Sequence, residues 1–213
     1  MTTPSESFCM SIYLIRHGET ALNASRTLQP ADTPLSQRGL AQAAAIAARL
    51  VDAGVVAIVS SDLPRAAQTA TAIAEACRLP IRWEPLLHER NYGDLRGQAY
   101  DTLPFDPMTL DDAPPGGESV ATFRARVAQA FARIVALRDA LDGNLAVVTH
   151  GLVIAAMLDL HARIADGIAR PERLGNTSLT VLSAQPPHEV GLLDCTRHLQ
   201  ADTADDRQSL SGG

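Results

Sequence analysis

Two periods organise the apolar positions of this chain. Short runs rich in Ile, Val and Leu, at residues 11–15, 55–59 and 145–148, predict buried strands. Longer stretches between them repeat apolar residues every three or four positions, the spacing of a helix that buries one stripe. Residues 36–53 carry Leu40, Ala43, Ala47 and Leu50 in that register, with Gly54 as the C-cap. Residues 63–77 align Leu63, Ala67, Ala70, Ile73 and Cys77, and residues 118–141 align Val120, Phe123, Val127, Phe131, Ile134, Leu137 and Leu141. Residues 152–160 predict a short apolar helix, and residues 81–83, 179–182 and 190–193 predict further strands. Strands alternating with helices predict a single-domain α/β protein, a three-layer α/β/α sandwich around a mostly parallel sheet. Residues 8–199 are expected to form that domain, with a loop-rich, proline-rich region at 85–117, and the polar residues 200–213 a flexible tail.

Composition narrows the chemistry. Alanine supplies 35 of the 213 residues, which suits helices packed closely on a sheet. The net charge of −6 argues against a nucleic-acid partner or an anionic membrane surface. No apolar run approaches the ~20 residues that span a bilayer. All 18 basic residues are arginine, so Schiff-base chemistry and a phosphate-binding loop built on lysine are excluded. Cys9, Cys77 and Cys195 stand far apart, and His161, His188 and His198 lack ligand partners at useful spacing, so no metal site is expected. The opening MTTPSESFCM has neither the basic nor the apolar region of a secretory signal, so the expected compartment is the cytoplasm, with reduced thiols.

The chemistry-bearing residues gather where strands end. In parallel sheets, sites form beyond the carboxyl ends of the strands. The run 11–15 leads into Arg16-His17-Gly18, and the run 145–148 into Thr149-His150-Gly151. The run 55–59 leads into Ser60-Ser61-Asp62, with Arg65 in the first turn of the next helix. Two guanidinium forks match a phosphate dianion, with Asn23 and a helix N-terminus as neutral donors. A neutral His17 imidazole is a competent nucleophile toward phosphorus, and His150 can donate to the phosphoryl oxygens. A leaving alkoxide then needs a proton. Glu89 is the candidate acid; Glu19, two residues from His17, is the nearer carboxylate in sequence. His88 is given no role, and Thr177 and Ser178 are read as a turn leading into a strand.

Further segments follow the same order as a known family. Arg16-His17-Gly18-Glu19-Thr20 with Asn23 resembles the signature of the histidine phosphatase (phosphoglycerate mutase-like) superfamily. Asp32-Thr33-Pro34-Leu35-Ser36 with Gly39 and Gln42-Ala43, then Ser60-Ser61-Asp62-Leu63-Pro64-Arg65-Ala66, are similar to its next two motifs. Glu89 with Gly93 and Gly97, Gly116-Gly117-Glu118-Ser119 with Phe123 and Arg126-Val127, Thr149-His150-Gly151, and Asn176-Thr177-Ser178 complete the series. The resemblance implies that His17 is phosphorylated, that Arg16, Asn23, Arg65 and His150 hold the phosphoryl group, and that Glu89 is the acid and then the base. It implies no metal and no cofactor. The expected function is hydrolysis of a small phosphorylated metabolite. Mutase-type transfer, alpha-ribazole phosphatase-like activity and a non-catalytic phospho-ligand-binding module are the alternatives. Family members often carry a glutamate where Arg96 stands, so Arg90 and Arg96 are expected to add positive charge for a second anionic group. The short, acidic segment 98–117 is expected to set specificity and to disfavour a retained bisphosphorylated intermediate. Oligomeric state is left open, with a homodimer as one option.

Overall fold

A computed structural model describes residues 10–200 of the chain. Cys9 and residues 201–213 of the expected tail lie outside the described residues. Among the described residues six strands form one sheet: β1 (Ser11–Arg16), β2 (Val55–Ser60), β3 (Ile81–Trp83), β4 (Asn144–Thr149), β5 (Leu179–Ser183) and β6 (Val190–Cys195). Their spatial order is β3-β2-β4-β1-β5-β6. The first four are mutually parallel, β5 runs antiparallel to β1, and β6 antiparallel to β5. Helices α1 (Ala21–Ala24), α2 (Gln37–Leu50), α3 (Pro64–Cys77), α4 (Val120–Asp139) and α5 (Gly151–His161) connect them.

Alternation along the central strands divides the interior into two cores. Ile12, Leu14, Leu145 and Val147 face Phe123, Val127, Phe131 and Ile134 of α4 and Val153, Ile154 and Met157 of α5. Ile15, Ala146 and Val148 face Ile46, Ala47 and Leu50 of α2 and Ala66, Ala70 and Ile73 of α3. The result is the three-layer sandwich. The small residues on α2 and α3 let those two helices lie close on the sheet and on each other. Each large apolar side chain buried this way contributes about 1.5–3 kcal/mol.

Some expected boundaries and faces shift. Ser36 is the N-cap of α2, its Oγ accepting from Gly39 N at 3.0 Å. Leu40, expected to face inward, is 43% exposed, and Gln42 is buried in its place. Ala67 sits at the margin of the α3 stripe, which Arg65, Ala66, Thr69, Ala70 and Ile73 form. The run 55–59 is buried only in its second half, with Val56 exposed. The region 85–117 is punctuated by four single 3₁₀ turns at Pro85–Leu87, Gly93–Leu95, Tyr100–Thr102 and Pro107–Thr109. Among the described residues, no helix is long and apolar enough to cross a membrane.

Asn144, one residue ahead of the predicted strand, ties the amino edge of the sheet together. Its Nδ2 donates to Ala53 O at 2.8 Å and to Tyr13 OH at 3.1 Å, and its Oδ1 accepts from Ser11 N at 2.8 Å. Asn144→Ala removes these three hydrogen bonds and is expected to lower unfolding free energy by about 1–3 kcal/mol. A urea denaturation midpoint, with unchanged slope, measures it.

Candidate active site

Strand register assembles the site. β1 and β4 pair with Arg16 opposite Thr149, so His17 and His150 leave the sheet side by side. His17 N donates to Thr149 O at 2.9 Å, and the two imidazole centroids lie 5.2 Å apart. On the other side of β4, Ser60 pairs with Val148, and Ser61 N donates to Val148 O at 3.0 Å. That puts Ser61 Oγ 2.9 Å from His150 Nε2. Arg65 follows in the first turn of α3, behind Pro64 at its N-terminus, a position where proline's missing N–H is not needed. Glu89 comes just after the Pro85–Leu87 turn and sits at the start of α5. Its Oε2 accepts from Leu152 N at 3.2 Å and its Oε1 from Arg90 N at 2.9 Å. Arg16, His17, Arg65, Glu89 and His150 are all buried.

Close backbone packing holds His17 in place. A Cβ on Gly18 would lie 2.6 Å from Gly39 O, and one on Gly39 would lie 2.0 Å from Glu19 O. Glycine at both positions lets the start of α2 press against the loop that carries His17. Glu19, the nearer carboxylate in sequence, closes that contact. Its oxygens accept from Ser36 Oγ at 2.8 Å and Arg38 at 3.1 Å, and its N–H donates to Gln42 Oε1 at 2.8 Å. From the other side the 176–178 turn grips the His17 carbonyl: Asn176 Nδ2 donates to it at 3.0 Å and Thr177 N at 3.3 Å. Thr177 adopts a positive φ of 51° to do so.

The electrostatics follow from burial among arginines. His17 Nδ1 lies 2.7 Å from Gly18 O. A carbonyl only accepts, so the proton is on Nδ1 and the Nε2 lone pair is free of it. Burial first, then Arg65 and Arg16, holds the His17 pKa well below the ordinary imidazole value. Burial and Arg65 do the same to His150. Ser61 Oγ and His150 Nε2 share a hydrogen bond of 2.9 Å, and His150 Nδ1 is a buried atom with no hydrogen-bond partner among the described residues. Arg65 Nε is likewise a buried donor without a hydrogen-bond partner among the described residues. Burial and two neighbouring guanidiniums lower the Arg65 pKa to about 10, so it stays charged at neutral pH. Burial raises the Glu89 pKa against the pull of the Arg90 and Leu152 N–H groups and of Arg65. The arrangement therefore offers a neutral nitrogen nucleophile, two fixed positive charges, an inward donor and a carboxyl group disposed to hold a proton.

Other candidates take different places. The described hydrogen bonds of Asn23 close the capping box of α1, its Oδ1 accepting from Thr20 N and Oγ1 at 3.2 Å. Arg90, expected to add charge for a second anionic group, is engaged by backbone carbonyls and an aromatic ring. It is buried, donates to the carbonyls of Leu110 and Glu118, and lies over the Tyr92 ring. Arg96 lies close enough to Arg65 to lower the Arg65 pKa. His88 pairs with Asp62 at the rim. His161 and His188 bracket the Phe131 ring, and His198 bonds Thr177 Oγ1 and Arg49. Arg126 has a part that sequence reasoning did not assign. It donates to the carbonyls of Leu86, His88 and Glu89 and is held by Glu118, so α4 fixes the backbone around Glu89. Ser61 went equally unassigned; its place beside His150 depends on strand register, which motif spacing does not contain. Among the described residues, no group of three or more His, Cys, Asp or Glu could hold a metal ion.

Two cavities are lined in part by residues bonded to this cluster, Leu152 to Glu89 and Leu174 to Arg16. One, of about 460 Å³, is lined by Tyr100, Phe105, Asp106 and Met108 of the 98–117 segment, with Leu152 and Arg173 among its other walls. A second, of about 130 Å³, shares Leu152, Glu172 and Arg173 and reaches Leu174, whose carbonyl accepts from Arg16.

Residues 12–192 match the family model described as the histidine phosphatase superfamily (branch 1). A probable phosphoglycerate mutase GpmB of Proteus mirabilis is 33% identical over 186 residues, covering 83% of this chain and 86% of that protein. Its counterpart in Yersinia pestis is 34% identical over the same shares. Among solved structures, a mycobacterial glucosyl-3-phosphoglycerate phosphatase superposes with a TM-score of 0.71 at 28% identity, over 87% of this chain and 99% of that one. A putative alpha-ribazole-5'-P phosphatase of Escherichia coli superposes with a TM-score of 0.73 at 24% identity, over 88% of this chain and 97% of that one, and shares the fold.

The depressed imidazole pKa values make stability depend on pH with a definite sign. As pH falls below the unfolded value of about 6.5, the unfolded chain takes up protons at these two histidines and the native chain does not, so stability drops. Each histidine contributes up to about 1.4 kcal/mol per pH unit, and proton uptake by native Glu89 offsets part of it at lower pH. Guanidinium melts between pH 7 and 5.5 are expected to show the loss. NMR is expected to show the His17 and His150 rings still neutral across that range.

Proposed function

The chain belongs to the histidine phosphatase superfamily (branch 1), and from that premise we propose that it hydrolyses small phosphomonoesters through a phosphohistidine on His17. The observation that carries this reading is the 2.7 Å contact between His17 Nδ1 and Gly18 O, which leaves Nε2 as an unprotonated nucleophile. Nε2 attacks phosphorus in line with the ester oxygen. Arg16, Arg65 and His150 take the charge on the phosphoryl oxygens, with Asn23 assisting. As the P–O bond breaks, protonated Glu89 gives its proton to the leaving oxygen, and the alcohol departs. Glu89, now a carboxylate, takes a proton from water as that water attacks phosphorus. The P–N bond breaks, and inorganic phosphate and neutral His17 are released. Neither a metal ion nor a cofactor enters these steps. The partner is a small phosphorylated metabolite.

The raised Glu89 pKa supports the acid role, since a general acid needs a proton to give near neutral pH. A mutase reading is favoured by the names of the curated relatives, probable phosphoglycerate mutases. In it, phosphohistidine returns its phosphoryl group to a second substrate hydroxyl instead of water. Incubation with 3-phosphoglycerate and its bisphosphate primer separates the two: free phosphate supports hydrolysis, and isomerisation without release supports the mutase.

His17→Ala is expected to lower kcat by roughly 10⁴-fold or more. Brief exposure of the wild type to ³²P-labelled substrate is expected to leave base-stable, acid-labile label on His17. Normal turnover by His17→Ala, or label on another residue, overturns the mechanism. No turnover and no label in the wild type would assign the chain to phospho-ligand binding. Glu89→Gln is expected to slow alkyl phosphates by about 10²–10⁴-fold. It should affect p-nitrophenyl phosphate far less, because that leaving group departs without protonation. Equal losses on both esters refute the acid role.

A further inference from the structure

The 176–178 turn grips the His17 carbonyl, and a second set of contacts grips the turn. Ser178 N donates to Gly175 O at 3.1 Å and closes it, and Gly175 N donates to Asp194 Oδ1 of β6 at 2.7 Å. Thr177 is fully buried and holds a φ of 51°. A β-branched residue rarely adopts that conformation, and it persists only where neighbours impose it. One such neighbour is His198, just past the end of β6, whose Nε2 lies 3.1 Å from Thr177 Oγ1. The other ring nitrogen, Nδ1, lies 3.1 Å from a terminal guanidinium nitrogen of Arg49, in the last turn of α2.

The direction of these bonds is fixed. A guanidinium only donates, so His198 Nδ1 accepts from Arg49, the ring proton is on Nε2, and Nε2–H donates to Thr177 Oγ1. Burial and Arg49 bring the His198 pKa down to about 4, so the ring stays neutral in this tautomer at neutral pH. Arg49 is itself anchored, donating to the Cys195 carbonyl at 3.2 Å and to Cys195 Sγ at 3.4 Å. Arg49 thus donates to His198, His198 to Thr177, and Thr177 N to the His17 carbonyl. Near its N-terminus the same helix presses Gly39 against Gly18. α2 therefore holds the nucleophile loop from two sides, directly through Gly39 and indirectly through His198. Gly18 has no Cβ to restrict rotation of the peptide that follows His17. The orientation of that peptide sets where Gly18 O stands relative to His17 Nδ1, the 2.7 Å contact that fixes the nucleophile's tautomer.

We propose that His198 and Arg49 are positioning residues for His17: they lock the 176–178 turn onto the His17 carbonyl and so keep Nε2 aimed at the phosphoryl group. His198 lies beyond residues 12–192, the span that matches the family model. The proposal rests on the reading of His17 as the nucleophile and adds two residues to what holds it in place.

The test is His198→Ala, followed by p-nitrophenyl phosphate kinetics and by ¹⁵N-edited NMR of the His17 ring. Asp194 still anchors the turn in this variant, so the chain is expected to stay folded, which circular dichroism checks. kcat is expected to fall about tenfold, less than the ~10²-fold that a 1 Å misplacement can cost, with KM changed less than about twofold. The His17 Nδ1–H resonance is expected to shift. His198→Gln, whose amide can accept from Arg49 and donate to Thr177, is expected to restore most of kcat. Arg49→Ala is expected to lower kcat as His198→Ala does, and the double variant no further. An unmoved His17 resonance, no recovery in His198→Gln, additive losses in the double variant, or a kcat loss that only tracks loss of folded protein overturns the proposal. If the wild type turns over no ester, the hydrolase reading fails separately, and the His17 resonance decides alone: a shift in His198→Ala supports the lock, and no shift overturns it.

Discussion

Two arginines and two histidines are buried at one point of this molecule, and that concentration of potential positive charge constrains everything around it. A guanidinium keeps its proton in a protein. Arg16 and Arg65 therefore stay charged, and the two imidazoles relieve the repulsion by staying neutral. Neutrality alone does not make a nucleophile; the ring must also present the correct nitrogen. The Gly18 carbonyl does this for His17, and Ser61 Oγ shares a hydrogen bond with His150 Nε2. Glu89 acts on Arg65 by favouring its charged form, and its own burial pushes the Glu89 pKa up. An anion brought by a ligand then supplies what the protein withholds.

The scaffold separates this strain from stability. The carboxyl edge of the sheet carries the charged groups, and the amino edge is closed by the neutral Asn144 network. Between them lie two apolar layers on either face of β1 and β4. Arg126 connects α4 to the carbonyls around Glu89, so a helix whose other face is core also sets the position of Glu89.

Much of this was readable along the chain because the relevant signals are local. Strand runs ending in Arg16-His17-Gly18 and Thr149-His150-Gly151 marked the edge where chemistry gathers, and the α4 stripe marked one core. What failed depended on neighbours distant in sequence. Leu40 fits the helical stripe of α2, yet the inward position belongs to Gln42 because Glu19 N needs an acceptor there. The run 55–59 looked wholly buried, but Val56 lies near the uncovered start of β2. The carbonyls that Arg90 binds were not legible either, because the folded 98–117 segment and the approach to α4 bring them near. Arg126 and Ser61 needed tertiary contacts before any role could be seen.

The pairing of Arg16 with Thr149 joins two strands far apart along the chain. Slipping β4 by one residue along β1 would turn its side chains to the wrong faces and carry His150 away from His17. During refolding, helices with local contacts can form early, whereas this alignment must wait for a long loop to close. Recovered turnover would thus report the arrival of one particular strand pairing, and a compact but misaligned chain would look folded by its helix content while staying inert.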